Sequence, residues 1–234
     1  MAELTMAYKG ERDLSYFALH KKHIRQYDAE FLAITNAKTS MSVLEIGCGS
    51  GIFSRYLKHK GFTDVVCLDS DKRLAPVLGD LDPFQVVLEE AETYIASITG
   101  KRTFDLIVLQ DVLEHLPLEK SCSLFKAFHN ALAVGGRVLI RVPNMSSPWG
   151  ARLFYGNFDH ITAFSPDRIR EFAALTDFHV VSLVGQKTGK RRKQIAANVL
   201  HAFLSRILPE HPKIWEANLV ALLEKQESYT HSPA

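Results

Sequence analysis

The sequence has little cysteine, no long apolar run and almost no excess of charge of one sign. Its three cysteines, Cys48, Cys67 and Cys122, are too few and too scattered for a disulfide framework or a zinc site. No apolar run approaches the roughly 18 residues of a membrane-spanning helix, and the first residues lack the apolar core of a signal peptide. We therefore expect a protein of a reducing compartment, the cytoplasm, without a bound metal.

The composition is that of a folded globular protein. Apolar residues make up 47% of the 234 residues and charged residues 23%, and the formal net charge is +2. This apolar content excludes intrinsic disorder, and no short repeat is present. A chain of this length fits one large α/β domain or roughly one and a half average domains.

Short apolar segments alternate with helical patterns from residue 42 onward. A crossover between parallel strands takes a helix, and both faces of the sheet are then buried. The pattern therefore predicts an open α/β sheet with helices on both faces. The predicted strands span residues 42–46, 64–69, 84–88, 104–109, 137–142, 178–184 and 217–223.

Three stretches lie outside this alternation. Residues 1–38 have a helical pattern, and we expect them to form a helical cap on the edge of the main domain, residues 39–234. Residues 143–164 are rich in glycine, asparagine, serine and aromatic side chains and are predicted to be irregular, with Ser165 and Pro166 beginning the next helix. A basic, amphipathic insertion occupies about residues 187–212.

Glycines and carboxylates follow the first three predicted strands. Gly47, Gly49 and Gly51 end the first strand, where glycine permits a sharp turn and the close approach of a ligand to the backbone. Asp69 ends the second strand, where a carboxylate can bind both hydroxyls of a ribose, and Glu90 follows the third. Because ligands of open α/β sheets bind beyond the carboxyl ends of the strands, these residues predict a pocket for an adenosine-containing cofactor.

The residues next to the glycines distinguish between cofactors. The dinucleotide fingerprint has a glycine where this chain has Ile52, which argues against a nicotinamide-dependent oxidoreductase. The sequence also contains no Gly-Lys-Ser/Thr for a triphosphate. Glu45 lies two residues before Gly47, where a carboxylate would repel a pyrophosphate but suits a cationic ligand.

The glycine motif, residues 43–51, resembles the first motif of class I S-adenosylmethionine-dependent methyltransferases. Residues 104–116 are similar to the fourth-strand motif of that family, and residues 132–142 to its next strand. Residues 144–166 resemble a loop in a bacterial subgroup that includes ubiquinone-biosynthesis O-methyltransferases and methyltransferases of surface-glycan gene clusters. The resemblance implies a Rossmann-like, seven-stranded, mostly parallel sheet with the last strand antiparallel. It also implies methyl transfer from S-adenosylmethionine, with S-adenosylhomocysteine as the product.

The resemblance also assigns cofactor contacts at the ends of four strands. The assigned residues are Gly47, Cys48 and Gly49 for the amino acid part, with Glu45 and Gly51 beside them, Asp69 and Ser70 for the ribose, Glu90 and Ala91 for the adenine, and Gln110 and Asp111 for the methionine end. The pair Glu89-Glu90 departs from the Gly-Asp that is usual in the subgroup. Cys48 is expected to contact the cofactor through its backbone rather than to react.

Methyl transfer to a hydroxyl needs a base near the methyl group. We consider His160, next to Asp159 in the irregular segment, as that base, because imidazole titrates near neutral pH. The alternative is a histidine that only hydrogen-bonds across its own loop. His115 and Asn144 are assigned to the acceptor side, and packing or capping ahead of Pro117 is the alternative for His115.

The insertion combines Lys190, Arg191, Arg192 and Lys193 with an apolar stripe in the helix that follows. This combination is typical of an interfacial helix on anionic lipid, so one interpretation is a peripheral contact with the inner face of the membrane and a lipid-linked acceptor. The others are a phosphate-bearing acceptor, and a helix packed on its own domain or on a second subunit of a homodimer. Nothing resembles an RNA-binding module, so nucleic acid is not expected.

The sequence as a whole predicts a methyltransferase that acts on a small-molecule, sugar or lipid-linked acceptor, at oxygen. The alternative is a non-catalytic subunit or scaffold that binds S-adenosylmethionine. The intact first motif and Asp69 argue against a scaffold, since a scaffold need not keep them.

Overall fold

The computed structural model describes residues 18–226, and its centre is a seven-stranded sheet. The strands are β1 (Val43–Ile46), β2 (Val65–Asp69), β3 (Gln85–Leu88), β4 (Phe104–Gln110), β5 (Leu132–Pro143), β6 (Phe178–Gly185) and β7 (Asn218–Lys225). Their order across the sheet is β3-β2-β1-β4-β5-β7-β6. Only β7 runs antiparallel to its neighbours in this part of the chain. The predicted Rossmann-like sheet with an antiparallel last strand is confirmed.

Helices connect the strands on both faces. They are α1 (Lys21–Tyr27), α2 (Ile52–Lys60), α3 (Ala75–Leu78), α4 (Ala91–Ile98), α5 (Leu118–Ala131), α6 (Pro148–Tyr155), α7 (Pro166–Leu175) and α8 (Arg191–Ile207). A π-helical turn, Asp28–Leu32, continues α1 into Ala33–Thr35, so the described part of the predicted cap is helical. Residues 1–17 of that cap lie outside the described residues.

The stretch predicted to be irregular contains α6, and that prediction was wrong over Pro148–Tyr155. The helix begins as α7 does, with a serine followed by proline. The Ser147 hydroxyl accepts a hydrogen bond from the backbone N–H of Trp149, and the Ser165 hydroxyl accepts one from Arg168. Both are N-caps with proline in the first turn. Ser147 before Pro148 is therefore a sequence signal for the start of a helix. It was overlooked because the residues around it are aromatic or small.

The sheet separates two apolar cores. One is covered by α4, α5 and α7, and in it the ring of Phe125 packs against the rings of Phe128 and Phe172. The other is covered by α1, its π turn and α2, where Tyr27 and Phe31 pack on the aromatic rings of α2. Since both faces of β1 and β4 are buried, the loops at the carboxyl ends of these strands are the exposed edge of the sheet where a ligand can bind.

A buried arginine joins the N-terminal helix to this edge. Arg141 of β5 donates to Glu30 of the π turn at 3.0 Å and binds both carboxylate oxygens of Asp111, which follows β4. Burial alone would lower the pKa of Arg141. The negative charges of Asp111 and Glu30, together with the hydrogen bond to Asp111, have the larger effect and raise that pKa. The amide of Gln186 donates to the second oxygen of Glu30 at 2.8 Å. The guanidinium therefore holds three segments together at one point.

No helix within residues 18–226 is long and apolar enough to cross a membrane.

We predict that Arg141→Met lowers the free energy of unfolding by about 3 kcal/mol or more, because removing one partner of a buried ion pair leaves Glu30 desolvated and uncompensated. Urea denaturation measures the loss. Arg170→Met is the control, since the Arg170 pair with Asp167 is exposed and its loss should cost less than about 1 kcal/mol. Equal losses in the two variants would contradict the role given to Arg141.

Candidate functional site

The glycine segment after β1 forms a tight bend. Gly47, Gly49 and Gly51 have φ angles of 72°, 52° and 74°, a region that other residues rarely adopt. The backbone N–H groups of Gly47 and Cys48 both donate to the carbonyl of Leu68, at 2.8 and 3.0 Å. The bend is thus fastened to the end of β2. A Cβ on Gly49 would meet nothing within 4 Å, so this part of the backbone is open to a ligand.

Asp69 lies against the bend in a fixed orientation. One carboxylate oxygen accepts from the N–H of Gly49 at 2.8 Å, and the other accepts from the N–H of Asp71 at 2.9 Å. An ionised carboxylate has about four acceptor positions, so each oxygen can still accept a second hydrogen bond. Two hydroxyls of a sugar are groups that these positions can bind.

A cavity of about 100 Å³ lies beside Asp69 and the bend. It brings together Gly47, Asp69, Ser70, Glu90 and Ala91, which the resemblance assigned to one cofactor. Its lining also includes Ile46, Leu68, Glu89, Glu92, Val112, Leu116, Lys120 and Leu124.

Lys120 is a residue of this cavity that the sequence did not indicate. Its ammonium lies 3.3 Å from Glu90 and 3.6 Å from Glu92. It belongs to the first turn of α5, and only the tertiary fold brings that turn to the acidic residues that follow β3. Lys120 therefore sets the position of the Glu90 carboxylate at the rim of the cavity.

Glu45 and Cys48 lie inside the protein around the bend. Glu45 is 4% exposed and accepts a short hydrogen bond from the Ser54 hydroxyl of α2. Burial raises the pKa of Glu45 to about 8, and the charge of Asp69 adds to this shift. A nearby cation would reverse it by favouring the ionised form. Burial also raises the pKa of the Cys48 thiol, so Cys48 is not an activated nucleophile.

The end of β4 offers an unpaired buried oxygen. Oε1 of Gln110 is buried without a hydrogen-bond partner. The next residue, Asp111, has a φ of 57° and turns its carboxylate onto Arg141. A buried acceptor without a donor is costly unless a ligand supplies one. The chain here thus fits a ligand with N–H donors, such as the amino acid part of the predicted cofactor.

The two candidate histidines lie against each other. The ring centroids of His115 and His160 are 4.6 Å apart in an edge-on arrangement. Nδ1 of His160 lies 3.0 Å from the carbonyl oxygen of Phe154, and Nδ1 of His115 lies 3.2 Å from that of Asp159. Because a carbonyl only accepts, each Nδ1 is assigned the proton in the neutral ring, and each Nε2 then has the basic lone pair.

Glu114 completes a cluster with these histidines. Its side chain is 1% exposed, its Oε2 has no hydrogen-bond partner, and burial raises its pKa to about 8. One potential ligand atom from each of Glu114, His115 and His160 lies within 4.8 Å of the others. The spacing in the sequence did not reveal this cluster, because His160 reaches it through the loop after α6. That loop is held by the N–H groups of Ile161 and Thr162, which both donate to the Glu114 carbonyl.

Asn144 does not line the acceptor side as predicted. It is completely buried, and its amide nitrogen donates to the carbonyl oxygens of Ile214 and Glu216 at 2.8 and 3.1 Å. Its side-chain oxygen accepts from the N–H of Ser146. The amide is therefore occupied in fastening the end of β5 to the segment before β7, and we withdraw the acceptor assignment for Asn144.

Comparison with known proteins identifies the class. A family model described as a methyltransferase domain matches residues 19–183, well over half of the chain. The chain belongs to this methyltransferase family. Membership confirms the prediction of a class I S-adenosylmethionine-dependent methyltransferase at the level of family, enzyme class and cofactor. The bacterial subgroup is not identified by this match.

Individual relatives of the methyltransferase are distant. The chain is 24% identical over 165 residues to malonyl-[acyl-carrier protein] O-methyltransferase 2 of Ilyobacter polytropus, covering 68% of this chain and 58% of that protein. It is 30% identical over 134 residues to phosphoethanolamine N-methyltransferase 3 of Arabidopsis thaliana, covering 51% of this chain and 25% of that protein. The methyltransferase thus spans less than two thirds of the length of either relative, and one acts at oxygen and the other at nitrogen.

The fold is shared with solved methyltransferases. The crystal structure of a SAM dependent methyltransferase from Archaeoglobus fulgidus superimposes with a TM-score of 0.66 at 20% identity. The match covers 95% of this chain and 98% of that one. At this identity the likeness establishes the architecture alone.

We predict that Gly47→Ala destabilises the methyltransferase more than Gly49→Ala, by about 1–3 kcal/mol in urea denaturation. Both variants strain a left-handed backbone by a similar amount. A Cβ at Gly47, however, would lie 2.4 Å from the Cγ2 of Val112, whereas one at Gly49 meets open space. Equal destabilisation by the two substitutions would contradict this prediction, because Val112 would then move aside without lowering the stability.

Proposed function

We propose that the methyltransferase binds S-adenosylmethionine along the carboxyl edge of β1, β2 and β4 and transfers its methyl group to a hydroxyl oxygen. The acceptor class is a small molecule, a sugar or a lipid-linked molecule. The observation that supports binding most directly is the Asp69 carboxylate, bonded to the glycine bend at the wall of the cavity. The observation that supports oxygen as the methylated atom is the pair His115 and His160.

In this proposal, each part of the cofactor meets groups of matching chemistry. The backbone of the glycine bend and Gln110 bind the amino acid part, with Asp111 beside them. Asp69 and Ser70 bind the ribose, and Glu90 and Ala91 border the adenine. Glu45 contributes a carboxyl group below the bend that ionises when a cation is near, and so it favours a positively charged ligand over a neutral one.

The bound cofactor supplies an electrophilic methyl group on a positively charged sulfur, and the chain supplies alignment and proton removal. An acceptor hydroxyl held in line with that methyl group would form the new oxygen–carbon bond, and the carbon–sulfur bond of the cofactor would release its electron pair to sulfur. The hydroxyl proton passes to Nε2 of His160, whose Nδ1 hydrogen bond to Phe154 fixes the ring. The backbone carbonyl of Asp159 orients His115 beside it. A general base is of most use to a hydroxyl, because a neutral amine can attack before it loses a proton.

Asp69→Ala tests the binding mode. We expect the affinity for S-adenosylhomocysteine, measured by isothermal titration calorimetry, to fall about 5- to 150-fold, since charge-assisted hydrogen bonds worth about 1–3 kcal/mol are lost. Asp167→Ala removes an exposed carboxylate of α7 and should leave the affinity unchanged. An unchanged dissociation constant for Asp69→Ala would refute the ribose assignment.

His160→Gln tests the base. We expect turnover to fall by about 10² to 10⁴ while the affinity for S-adenosylhomocysteine is retained. Turnover is followed with methyl-labelled S-adenosylmethionine against phenolic, sugar and polyprenyl-linked hydroxyl acceptors. The matched control is His179→Gln, because His179 lies half-exposed on β6.

Three outcomes would contradict parts of this proposal. Turnover of His160→Gln within about threefold of the parent would leave His160 as a loop residue. Loss of parent activity on treatment with a chelator would assign Glu114, His115 and His160 to a metal ion instead. Tight cofactor binding without turnover of any acceptor class would favour a non-catalytic subunit.

A further inference from the structure

The helix α8 presents an apolar face that nothing within residues 18–226 covers. It has 17 residues, and none of them is buried. Val199 is 66% exposed, Phe203 59% and Ile207 56%, and these residues lie on the outward side of the helix together with Ile195 and Leu200. A helix of a globular protein normally turns such a stripe toward its own core. This one turns it to the surface.

The opposite side of α8 is anchored. The imidazole of His201 stacks on the indole of Trp215 with ring centroids 5.0 Å apart, and the Trp215 Nε1–H donates to the Ser205 hydroxyl at 2.9 Å. The side-chain amide of Gln194, in the first turn of the helix, donates to the carbonyl oxygens of Thr188 and Gly189 in the loop before it. The polar side therefore holds the helix on the domain, and the apolar side faces outward as a consequence of these contacts.

Positive charge is concentrated around the same face. Residues 186–209 contain six Lys or Arg and no Asp or Glu, although the whole chain has a net charge of only +2. The rest of the chain is therefore net negative. The basic residues are Lys187, Lys190, Arg191, Arg192, Lys193 and Arg206, and Arg206 is exposed in the last turn of α8. Basic groups beside exposed apolar side chains match the headgroups and acyl region of an anionic bilayer.

This surface continues toward the acceptor side of the site. Trp149 of α6, 47% exposed, lines the same groove of about 660 Å³ as Ile195 and Leu200. The last turn of α6 holds His160 through the Phe154 carbonyl. Phe158, in the loop between them, is 93% exposed. The groove beside α8 is thus bordered by the helix that leads into the loop of the candidate base, and both that helix and that loop have exposed aromatic side chains.

We propose that α8 and the exposed apolar residues of α6 and its following loop form a docking surface for an anionic lipid bilayer. If the proposed function also holds, the acceptor hydroxyl belongs to a molecule anchored in that bilayer. A second copy of the chain is a poorer occupant, since a twofold contact pairs this surface with itself and residues 186–209 contain no acidic group to match the six cations. Nucleic acid is poorer as well, because the outward side chains between the cations are apolar.

Vesicle flotation with the full chain tests the proposal. The vesicles are phosphatidylcholine alone, and equal parts of phosphatidylcholine and phosphatidylglycerol. The wild type should float with the anionic vesicles only, and added salt should weaken the binding. Arg191→Gln/Arg192→Gln/Lys193→Gln and Val199→Ser/Phe203→Ser should each lower the bound fraction at limiting lipid by about tenfold or more. Because all five positions are exposed, both variants should fold.

Each variant has a matched control. Lys21→Gln/Lys22→Gln/Arg25→Gln removes three exposed charges from α1, and Val134→Ser removes an apolar side chain that is 91% exposed on β5. Both controls should bind vesicles as the wild type does. Equal losses in a control and its matched variant would overturn the assignment to α8.

Other results would also overturn the docking surface. One is a wild type that does not bind the anionic vesicles. A second is a wild type that binds no vesicles and sediments as a dimer, while Val199→Ser/Phe203→Ser sediments as a monomer. A third is binding of the wild type to duplex DNA or single-stranded RNA but not to vesicles.

Calorimetry with S-adenosylhomocysteine separates this inference from the proposed function. Loss of cofactor binding with intact vesicle binding would remove the proposed reaction and leave the docking surface in place. Intact cofactor binding with no vesicle binding would remove the docking surface and leave the proposed reaction in place.

Discussion

The ion-pair cluster around Arg141 is the contact on which the geometry of the site depends. A guanidinium inside a protein must be matched by carboxylates, and here the two carboxylates come from different parts of the chain. Glu30 belongs to the N-terminal helix and Asp111 to the turn after β4, so one charge fixes both relative to β5. The position of Asp111 in turn fixes Gln110, whose unpaired oxygen is available at the end of β4. In the proposed binding mode, structural and ligand-binding groups thus share the same few residues, and the charge of Arg141 connects them.

The sheet was predictable from the sequence because its signal is local. The strands β1 to β4 are short apolar runs, and their bounds agree with the predicted segments within one residue. Ser165 capped its helix as expected, but the same signal at Ser147 was hidden by the aromatic residues of α6. Contacts between distant segments had no such signal. Lys120 meets Glu90 only because the fold brings the start of α5 beside the residues that follow β3, and His160 meets Glu114 only because the loop after α6 folds back.

Several polar groups at this edge of the sheet are buried without full compensation. Glu45 and Glu114 are carboxyl groups that burial keeps from ionising readily, and Gln110 has a buried oxygen without a donor. Each costs stability in the absence of a matching group, and together they lie around the ends of β1 and β4. Asn144 shows the opposite case, because its side-chain nitrogen and oxygen both have hydrogen-bond partners within the protein. Unsatisfied hydrogen-bonding capacity therefore distinguishes Gln110 and Glu114 from Asn144.

The π-helical turn between α1 and residues 33–35 has a consequence for how the chain tolerates length changes. A wide turn is a way in which a helix accommodates an extra residue without losing its axis. Here it lets Asp28 face the Tyr56 hydroxyl, Glu30 face Arg141 and Phe31 face the apolar interior, three directions within one turn. Deleting a residue from this turn would restore regular winding and leave four positions where five now stand, so α1 would stay in phase at the expense of at least one of these contacts. The number of residues in this turn is therefore as constrained as their identity.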